Sequence, residues 1–372
     1  MMKKQIIFVL LVSFQAAAQN PKFPKQTITV PCNQEFLDNY KGKWLIPDKT
    51  LTNRPNQAFS LETIKRMGEI HKLVEEVYPQ PIAVDAKWSS LYVKTHFGNK
   101  IKYVTVDGNS QMEYVTTNQV EGWIYNTTLF PWSCSGTHEI SNGYPEISGG
   151  NGFAIDANHL PILSDFMADG DEWTVDGLPI KRKMPTVGNW KGYEMLASNG
   201  GPLAQQNDQY FILISRNDML PYILVTRKQY LDRAMAYATR FYDNLNVINE
   251  KIRDKTEKEE GRNRNLKAKN AALKKLQDEL EKTRRDGLLD APAIVGTDPL
   301  MMNEGPVFLP ESEGGIPLTI ENPDYFRKNL PGYIPQVFVV SWSWGKEKFG
   351  IDFKKAIETN FPVEKLKAMI DK

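Results

Sequence analysis

Two histidines and two acidic residues lie close together in a stretch rich in Gly, Ser, Asn and Pro. His138 and Glu139 are adjacent, and His159 follows Asp156 by three residues. Imidazole and carboxylate groups are common zinc ligands, and in hydrolases they serve as general acids and bases. The zincin motif H-E-x-x-H is absent because the fifth residue is Asn. We therefore retain His138, Glu139 and His159 as candidate catalytic or zinc-binding residues of a site within 131–172.

A second group of carboxylates precedes a turn and includes Asp169, Asp171 and Asp176. Oxygen-rich loops of this kind can bind Ca²⁺, so these three residues are candidate metal ligands. The spacing and the closing glutamate of an EF-hand loop are absent, and such a run is more often a solvated turn. No other feature of the sequence indicates a cofactor.

The motifs of several common enzyme classes are absent. The sequence has no G-x-S-x-G, no Walker A loop and no G-x-G-x-x-G. Ser343 and Lys346 fit the S-x-x-K spacing of serine acyl-transfer enzymes, but Ser343 ends a predicted strand where that chemistry needs a helix start. Trp342 and Trp344 share one face of this strand and could stack on a sugar, although such pairs more often belong to a core. A non-enzymatic function is therefore favoured.

The first eighteen residues have the order of a secretory signal peptide. Lys3 and Lys4 form a positive start, 5–14 is apolar, and 16–18 is a run of three alanines. This pattern predicts cleavage after Ala18 and export to the periplasm or the extracellular space. The apolar run is too short to cross a bilayer, and no later run reaches the ~20 apolar residues of a membrane helix.

Cys32 and Cys134 are the two cysteines of the sequence. In an oxidising compartment one disulfide is expected, and it would tie the N-terminal segment to the body. The alternative is two unpaired thiols, because the sequence does not show whether the two Cα atoms approach each other.

Periodicity predicts a body of mixed helices and strands. Ser60 is an N-cap for a helix with apolar residues at helical spacing up to residue 77, and 131–172 is predicted to be a long loop region. Strand pairs are predicted at 101–117, at 173–183 around Asp176-Gly177, and at 210–225. A further strand is predicted at 336–344, followed by short helices at 353–357 and 363–370.

The segment 226–287 carries the longest helical pattern. It has no proline and two glycines, and Thr226 with Gln229 predicts a capping box at its start. Apolar residues then follow heptad spacing and define what we call the heptad seam: Leu231, Ala234, Ala238, Phe241, Leu245, Ile248 and Ile252, then Leu266, Leu273, Leu276 and Leu280.

Lys255, Glu259 and Arg262 interrupt the heptad seam, which leaves two interpretations. One continuous helix would keep the heptad phase but would place these charges on the seam. A helical hairpin that turns near 257–264 would lay the two halves of the seam together as an antiparallel coiled coil, with the charges at an exposed tip. We favour the hairpin, because an apolar seam needs a partner.

Charge is distributed unevenly along the chain. The 46 basic and 45 acidic residues give no overall field for nucleic acid or an anionic membrane. Within 227–285 there are 17 basic and 10 acidic residues, net +7, whereas the rest of the chain after Ala18 has 27 basic and 35 acidic, net −8. The candidate interaction residues are the basic residues near the predicted tip: Lys255, Lys258, Arg262 and Arg264.

These observations predict an α+β protein with a mainly antiparallel twisted sheet, flanking helices and an inserted helical hairpin. The expected parts are a signal peptide 1–18, a body 19–225, an arm 226–287 and a segment 288–372 that completes the body. The favoured function is an exported binding or scaffolding protein whose arm docks on an envelope or extracellular protein or on a second copy. The alternative is a secreted hydrolase, or a glycan- or peptide-binding protein, with its site in 131–172. No nucleic-acid partner is expected.

Overall fold

The structure is a computed structural model that describes residues 25–45, 53–54, 57–95, 101–106, 109–114, 120–142, 152–166, 173–197, 209–216, 219–296 and 305–372. Within these ranges the chain has mixed helices and antiparallel sheets, so the α+β class is confirmed, with two main sheets where the sequence predicts one. The predicted signal peptide lies outside the described residues.

The described ranges contain six α-helices and twenty strands. The helices are α1 Gln34–Asn39, α2 Leu61–Val77, α3 Arg227–Asn249, α4 Lys255–Arg285, α5 Lys348–Asn360 and α6 Val363–Lys367. The strands are β1 Lys25–Thr27, β2 Trp44–Leu45, β3 Asn53–Arg54, β4 Gln57–Ala58, β5 Val84–Thr95, β6 Ile101–Val106, β7 Asn109–Tyr114, β8 Val120–Gly136, β9 Glu139–Asn142, β10 Gly152–Ala157, β11 Leu163–Asp165, β12 Thr174–Val175, β13 Leu178–Lys183, β14 Thr186–Trp190, β15 Tyr193–Ala197, β16 Tyr210–Ile214, β17 Tyr222–Leu224, β18 Ile294–Val295, β19 Ile316–Glu321 and β20 Phe338–Ser343.

The larger sheet has ten strands, and most of them follow the order β1-β9-β8-β10-β20-β16-β15-β14. The remaining two strands extend it beside β8: β5 pairs with β8, and β2 pairs with β5. All the described pairs of this sheet are antiparallel except β2 with β5. β20 therefore comes late in the chain but lies inside the sheet, between β10 and β16.

Both faces of β20 are buried, in two different apolar clusters. Phe338, Val340 and Trp342 contribute to the core that α2, α5 and α6 cover. Val339, which points to the opposite face, belongs to a second cluster with Tyr222 of β17. This alternation is the pattern of a strand between two layers, and it makes the ten-stranded sheet a middle layer between helices and the smaller sheet.

The smaller sheet has six strands and supports α3 and α4. Its main order is β11-β13-β19-β17, and β12 and β18 pair with β13 and β19. The chain leaves this sheet at β17, forms α3 and α4, and returns through β18 to β19, which pairs with β17. The two helices are thus inserted between two neighbouring strands of one sheet.

The helix and turn signals of the sequence are reproduced locally. Ser60 accepts a hydrogen bond from the Thr63 N–H and caps α2, whose buried face includes Met67, Ile70 and Val74. The turn between β12 and β13 places Asp176 at φ 52° and Gly177 at φ 82°. Both values are those of a type I′ hairpin turn, which Asp-Gly favours.

Two predictions about the body are wrong. The stretch 131–172, predicted to be loop, holds the end of β8 and strands β9, β10 and β11. The predicted strand pair at 210–225 does not form, because β16 pairs within the larger sheet and β17 within the smaller one. β10 and β16 pair with β20, and β17 pairs with β19, all far along the chain, so local turn signals do not reveal these pairs. β9, in contrast, forms a tight hairpin with β8.

α3 and α4 form what we call the helix pair. The turn between them lies at 250–254, earlier than the predicted 257–264, because Asp254 caps α4 by accepting a hydrogen bond from the Glu257 N–H. Asn265 of α4 contacts Asn246 of α3, and Lys269, later in α4, contacts Asp243, earlier in α3. The helices therefore pack antiparallel. Contact between two consecutive helices is shown, and a coiled coil stays a prediction.

The predicted disulfide is confirmed. Cys32 and Cys134 are bonded, with their Cα atoms 5.7 Å apart and a sequence separation of 102. The bond fastens the segment before α1 to β8, where Leu37 packs with Trp132 and Ile140 in a small apolar cluster.

Replacing Cys134 with Ser should lower the free energy of unfolding by about 4 kcal/mol, because the bond closes a loop of roughly 100 residues in the unfolded chain. Equilibrium urea unfolding of the oxidised wild type and the variant would measure the difference. Wild type treated with a reductant should show the same loss. A variant as stable as the oxidised wild type would contradict this assignment.

Candidate functional site

The inner half of the helix pair is anchored on the smaller sheet. Thr226 and Gln229 form the predicted capping box at the start of α3. One turn further on, Tyr230 stacks on Trp173, with ring centroids 5.9 Å apart, and Tyr237 contacts the same indole at 5.1 Å. These rings belong to one buried cluster with Leu178 and residues of β19. Aromatic burial of this kind fixes the direction in which the helix pair leaves the body.

The heptad seam faces the sheet as well as the partner helix. Its inner residues, Leu231, Ala234 and Ala238, share the buried cluster of the smaller sheet with Leu276 of α4. The hairpin prediction lays the two halves of the seam together and does not include this contact with the sheet. Helical periodicity gives an apolar face but not the surface that it meets.

Polar contacts join the two helices further out. Asn265 donates to Asn246 at 3.1 Å, and Lys269 forms an ion pair with Asp243 at 2.6 Å. Gly261 lies so close to Asn249 that a Cβ atom there would be 2.9 Å from its side-chain nitrogen. Small and polar residues therefore make this part of the interface.

Glu250, in the turn, forms ion pairs with two of the predicted interaction residues. Lys258 contacts its carboxylate at 2.6 Å, and Arg262 forms a second ion pair with it. Hydrogen bonds from Lys258 and Arg262 lower the pKa of Glu250. Lys255 and Arg264 are exposed and have no ion-pair partner in the described part of the chain. The latter two are therefore the ones available to a partner.

An apolar stripe continues outward from the anchored face of α3. Tyr230, Ala234 and Tyr237 are buried, and the same three-and-four spacing leads to Phe241, Leu245 and Ile248. Leu266 lies two turns before Leu273 on α4, which packs against the buried cluster. Ile248 is 57% exposed and Leu266 53% exposed. We call Phe241, Leu245, Ile248 and Leu266 the outer stripe.

The α3 and α4 residues of the outer stripe lie at the same height along the helix pair. Leu245 and Leu266 are the direct sequence neighbours of Asn246 and Asn265, whose side chains are hydrogen-bonded. The heptad spacing predicts that these leucines face the partner helix, whereas Leu266 is exposed and Leu245 is half-buried. Tyr230 and Tyr237 lie on the same face of α3, nearer its start. These large aromatic residues are the sequence signal that this face packs against a sheet.

The structure does not bring the candidate catalytic residues together. His138 lies in the turn between β8 and β9, and Glu139 forms a 3.4 Å ion pair with Lys25. His159 follows β10, at the other end of β8, because Ala157 is opposite Trp123. Some thirteen residues of strand at ~3.3 Å each separate these two ends, about 40 Å.

His159 has a different partner, which the sequence places nearby. Its Nδ1 is 2.7 Å from Oδ1 of Asp156, whose side chain is only 6% exposed. Burial raises the pKa of Asp156 above its ordinary value of 3.8, and the hydrogen bond with His159 opposes this effect. A buried carboxylate with a partly exposed imidazole could act as a base, but a nucleophile beside it is needed for hydrolysis.

The candidate calcium ligands gain no support. Asp169 and Asp171 lie outside the described residues, and Asp176 occupies the first position of the β12–β13 turn. Across the described ranges, no group of three or more His, Cys, Asp or Glu residues could hold a metal ion. In the same ranges, no helix is both long enough and apolar enough to span a membrane.

Relative to wild type, Asp156→Asn should gain stability as pH rises from below 3.8 to 7. The raised pKa means that the folded protein keeps the Asp156 proton to higher pH than the unfolded chain, so wild type loses stability as pH rises through that interval. Urea unfolding of both proteins across this pH range would measure the difference in their free energies of unfolding. A difference that does not change with pH, or that changes in favour of wild type, would contradict this expectation.

A scan against models of protein families, a search of curated proteins and a search of solved structures each found no match to this chain. The function must therefore be inferred from the physical features of the site alone.

Proposed function

We propose that this chain is an exported, non-enzymatic binding or scaffolding protein, and that the outer half of the helix pair docks on an acidic protein surface. The observation that carries the proposal is the outer stripe at the far end of two long basic helices, where Ile248 and Leu266 are exposed and Phe241 and Leu245 are half-buried. Export is the expectation from 1–18, and the disulfide between Cys32 and Cys134 is in keeping with it.

Because part of the outer stripe is exposed, the isolated chain lacks the stabilisation that burial of these apolar side chains would give. Burying an aliphatic side chain such as Ile248 or Leu266 is worth roughly 1.5–3 kcal/mol, and both are mostly exposed. Ordering the helix residues beyond the sheet costs conformational entropy, and these residues make few contacts with the body to offset it. A partner surface that covers the stripe would supply this burial, which supports a binding role for this part of the molecule.

Charge favours an acidic partner. The segment 227–285 has a net charge of +7, and Lys255 and Arg264 are free to meet carboxylates of another surface. The rest of the chain after Ala18 has a net charge of −8, so a second copy supplies a complementary surface. We therefore take the body of a second copy as the occupant, in a symmetric dimer in which each helix pair contacts the other body.

The hydrolase alternative retains one supporting contact, the pair of Asp156 with His159. His138 and Glu139 lie toward the other end of β8, which disfavours one site shared by the three candidate residues. A glycan- or peptide-binding site within 131–172 is the other alternative. The binding role of the helix pair has the stronger physical support.

Self-association should weaken as salt is added. At low ionic strength the purified chain should form a dimer, and at high ionic strength a monomer, because salt shortens the screening length from ~30 Å at 0.01 M to ~3 Å at 1 M. Sedimentation velocity across a sodium chloride series would measure the change. A chain that is monomeric at every salt concentration would reject a second copy as the occupant.

Variants separate the apolar and charged contributions. Ile248→Ser combined with Leu266→Ser should weaken the dimer at least tenfold, about 1.4 kcal/mol or more. Val247→Ser is the matched control, because Val247 is 62% exposed but lies about 100° around α3 from Ile248. Lys255→Glu with Arg264→Glu should also weaken the dimer, whereas Lys346→Glu with Lys355→Glu, on the body, should not. Equal effects of test and control variants would count against the proposed surface.

A further inference from the structure

A cavity of about 500 Å³ lies where the end of β16 meets α6 and the segment after it. Three basic residues line it, Arg216, Arg327 and Lys367, together with two acidic ones, Glu364 and Asp371. This volume lies within the range of small-molecule sites. The cavity is far from the outer stripe in sequence and belongs to the body, so a site here is independent of the proposed function.

Arg216 is a mostly buried cation with weak partners among the described residues. Its side chain is 12% exposed, and the nearest described carboxylate, that of Asp371, is 3.8 Å away. Within the described ranges its buried Nε has no acceptor, its NH2 group contacts the thioether of Met219 at 3.9 Å, and its side chain also interacts with the Tyr325 hydroxyl. Burying a guanidinium with such weak partners is costly, and an under-paired buried group of this kind calls for an explanation such as a ligand.

Each acidic residue of the cavity has a partner, although Oδ1 of Asp371 is buried with no hydrogen-bond partner among the described residues. Asp371 forms its closer ion pair, 3.1 Å, with Arg327. Glu364 accepts a 2.9 Å hydrogen bond from the Tyr193 hydroxyl. Lys367 lies over the Tyr193 ring and has no carboxylate partner within the described ranges. The cavity therefore has an excess of cationic donors.

Hydrogen bonds hold the lining residues in place. The backbone N–H of Arg216 donates to the Tyr325 hydroxyl, which donates to the carbonyl of Gln336 at 2.7 Å. The backbone N–H of Arg327 donates to the Gln336 side chain, also at 2.7 Å. The Arg216 guanidinium lies over the Tyr325 ring, 4.3 Å from its centroid. Arg216 is thus positioned before any ligand arrives, which reduces the entropic cost of binding.

The backbone at Asp371 is in a strained conformation. Its φ is 64°, in the left-handed region that non-glycine residues rarely adopt, and its N–H donates to the carbonyl of Pro335 at 2.9 Å. Strain of this kind is retained where the surrounding structure requires it, and it is found most often at binding sites. The Asp371 carboxylate lies 3.1 Å from Arg327 and 3.8 Å from Arg216.

We propose that this cavity binds a small molecule through its carboxylate or phosphate group, with Arg216 as the principal donor and Arg327 and Lys367 as additional ones. A guanidinium can donate two parallel hydrogen bonds to an oxyanion, a geometry that suits both groups. Ala368 and Ile370 form the apolar part of the cavity wall, against which the rest of a small ligand would pack.

Thermal unfolding of the full chain with sodium phosphate, sodium acetate or sodium chloride at equal ionic strength tests this site. The unfolding midpoint should rise with phosphate or with acetate and saturate, because a ligand that binds the folded state stabilises it. Chloride should not reproduce the effect. A response to phosphate alone identifies a phosphate site, and a response to acetate alone identifies a carboxylate site. No saturable response to either anion would overturn the proposal.

The anion affinity of variants, measured by isothermal titration calorimetry, then locates the bound anion. Arg216→Gln and Lys367→Gln should each weaken binding roughly tenfold, the equivalent of one charge-assisted hydrogen bond. Lys365→Gln is the matched control, because Lys365 lies on α6 but points to Glu76 instead of the cavity. Lys367 is only partly buried, so Lys367→Gln keeps the test valid if Arg216→Gln does not fold. Unchanged affinity in Lys367→Gln, or equal loss in Lys365→Gln, would show that the anion binds elsewhere.

Discussion

The burial of both faces of β20 is the constraint on which the rest of the molecule depends. Phe338, Val340 and Trp342 require helices on one side, and Val339 requires a second sheet on the other. Neither layer is optional, because an exposed face would leave several large apolar side chains in water. The smaller sheet is therefore fixed on the larger one, and it in turn carries the helix pair away from the helical layer.

The helix pair changes character along its length. Its inner half is apolar and aromatic, where Tyr230 and Tyr237 meet Trp173. Its outer half is held by amide and ion-pair contacts, such as those of Asn246 with Asn265, while Ile248 and Leu266 are exposed. An element built only for stability would bury such large apolar side chains. Their exposure beside polar contacts between the helices is the physical basis of the proposed binding role.

Buried charged groups mark a second region of interest near one end of β20. Asn158 donates to the carbonyl of Ile334 and accepts from the Gln336 N–H, and Gln336 also holds Tyr325 and Arg327. The network includes Tyr325, which contacts Arg216, and Arg327, which lines the cavity with Arg216. Such buried polar and charged groups do not stabilise a fold as well as apolar residues of similar size. This cost, together with the positioned arginine, is the physical basis of the anion site that we propose.

The sequence by itself determined the features that depend on neighbours within a few positions. The Ser60 cap, the Thr226 capping box and the Asp176-Gly177 turn are of this kind, and the disulfide followed from there being two cysteines and a signal peptide pattern. Only the tertiary structure decided which surface the heptad seam meets, because helical periodicity gives a face but not its partner. It also separated His138 from His159, which the sequence places 21 residues apart but which β8 holds at opposite ends. The Arg216 cavity was beyond sequence reasoning because its lining comes from distant segments that long-range strand pairing brings together.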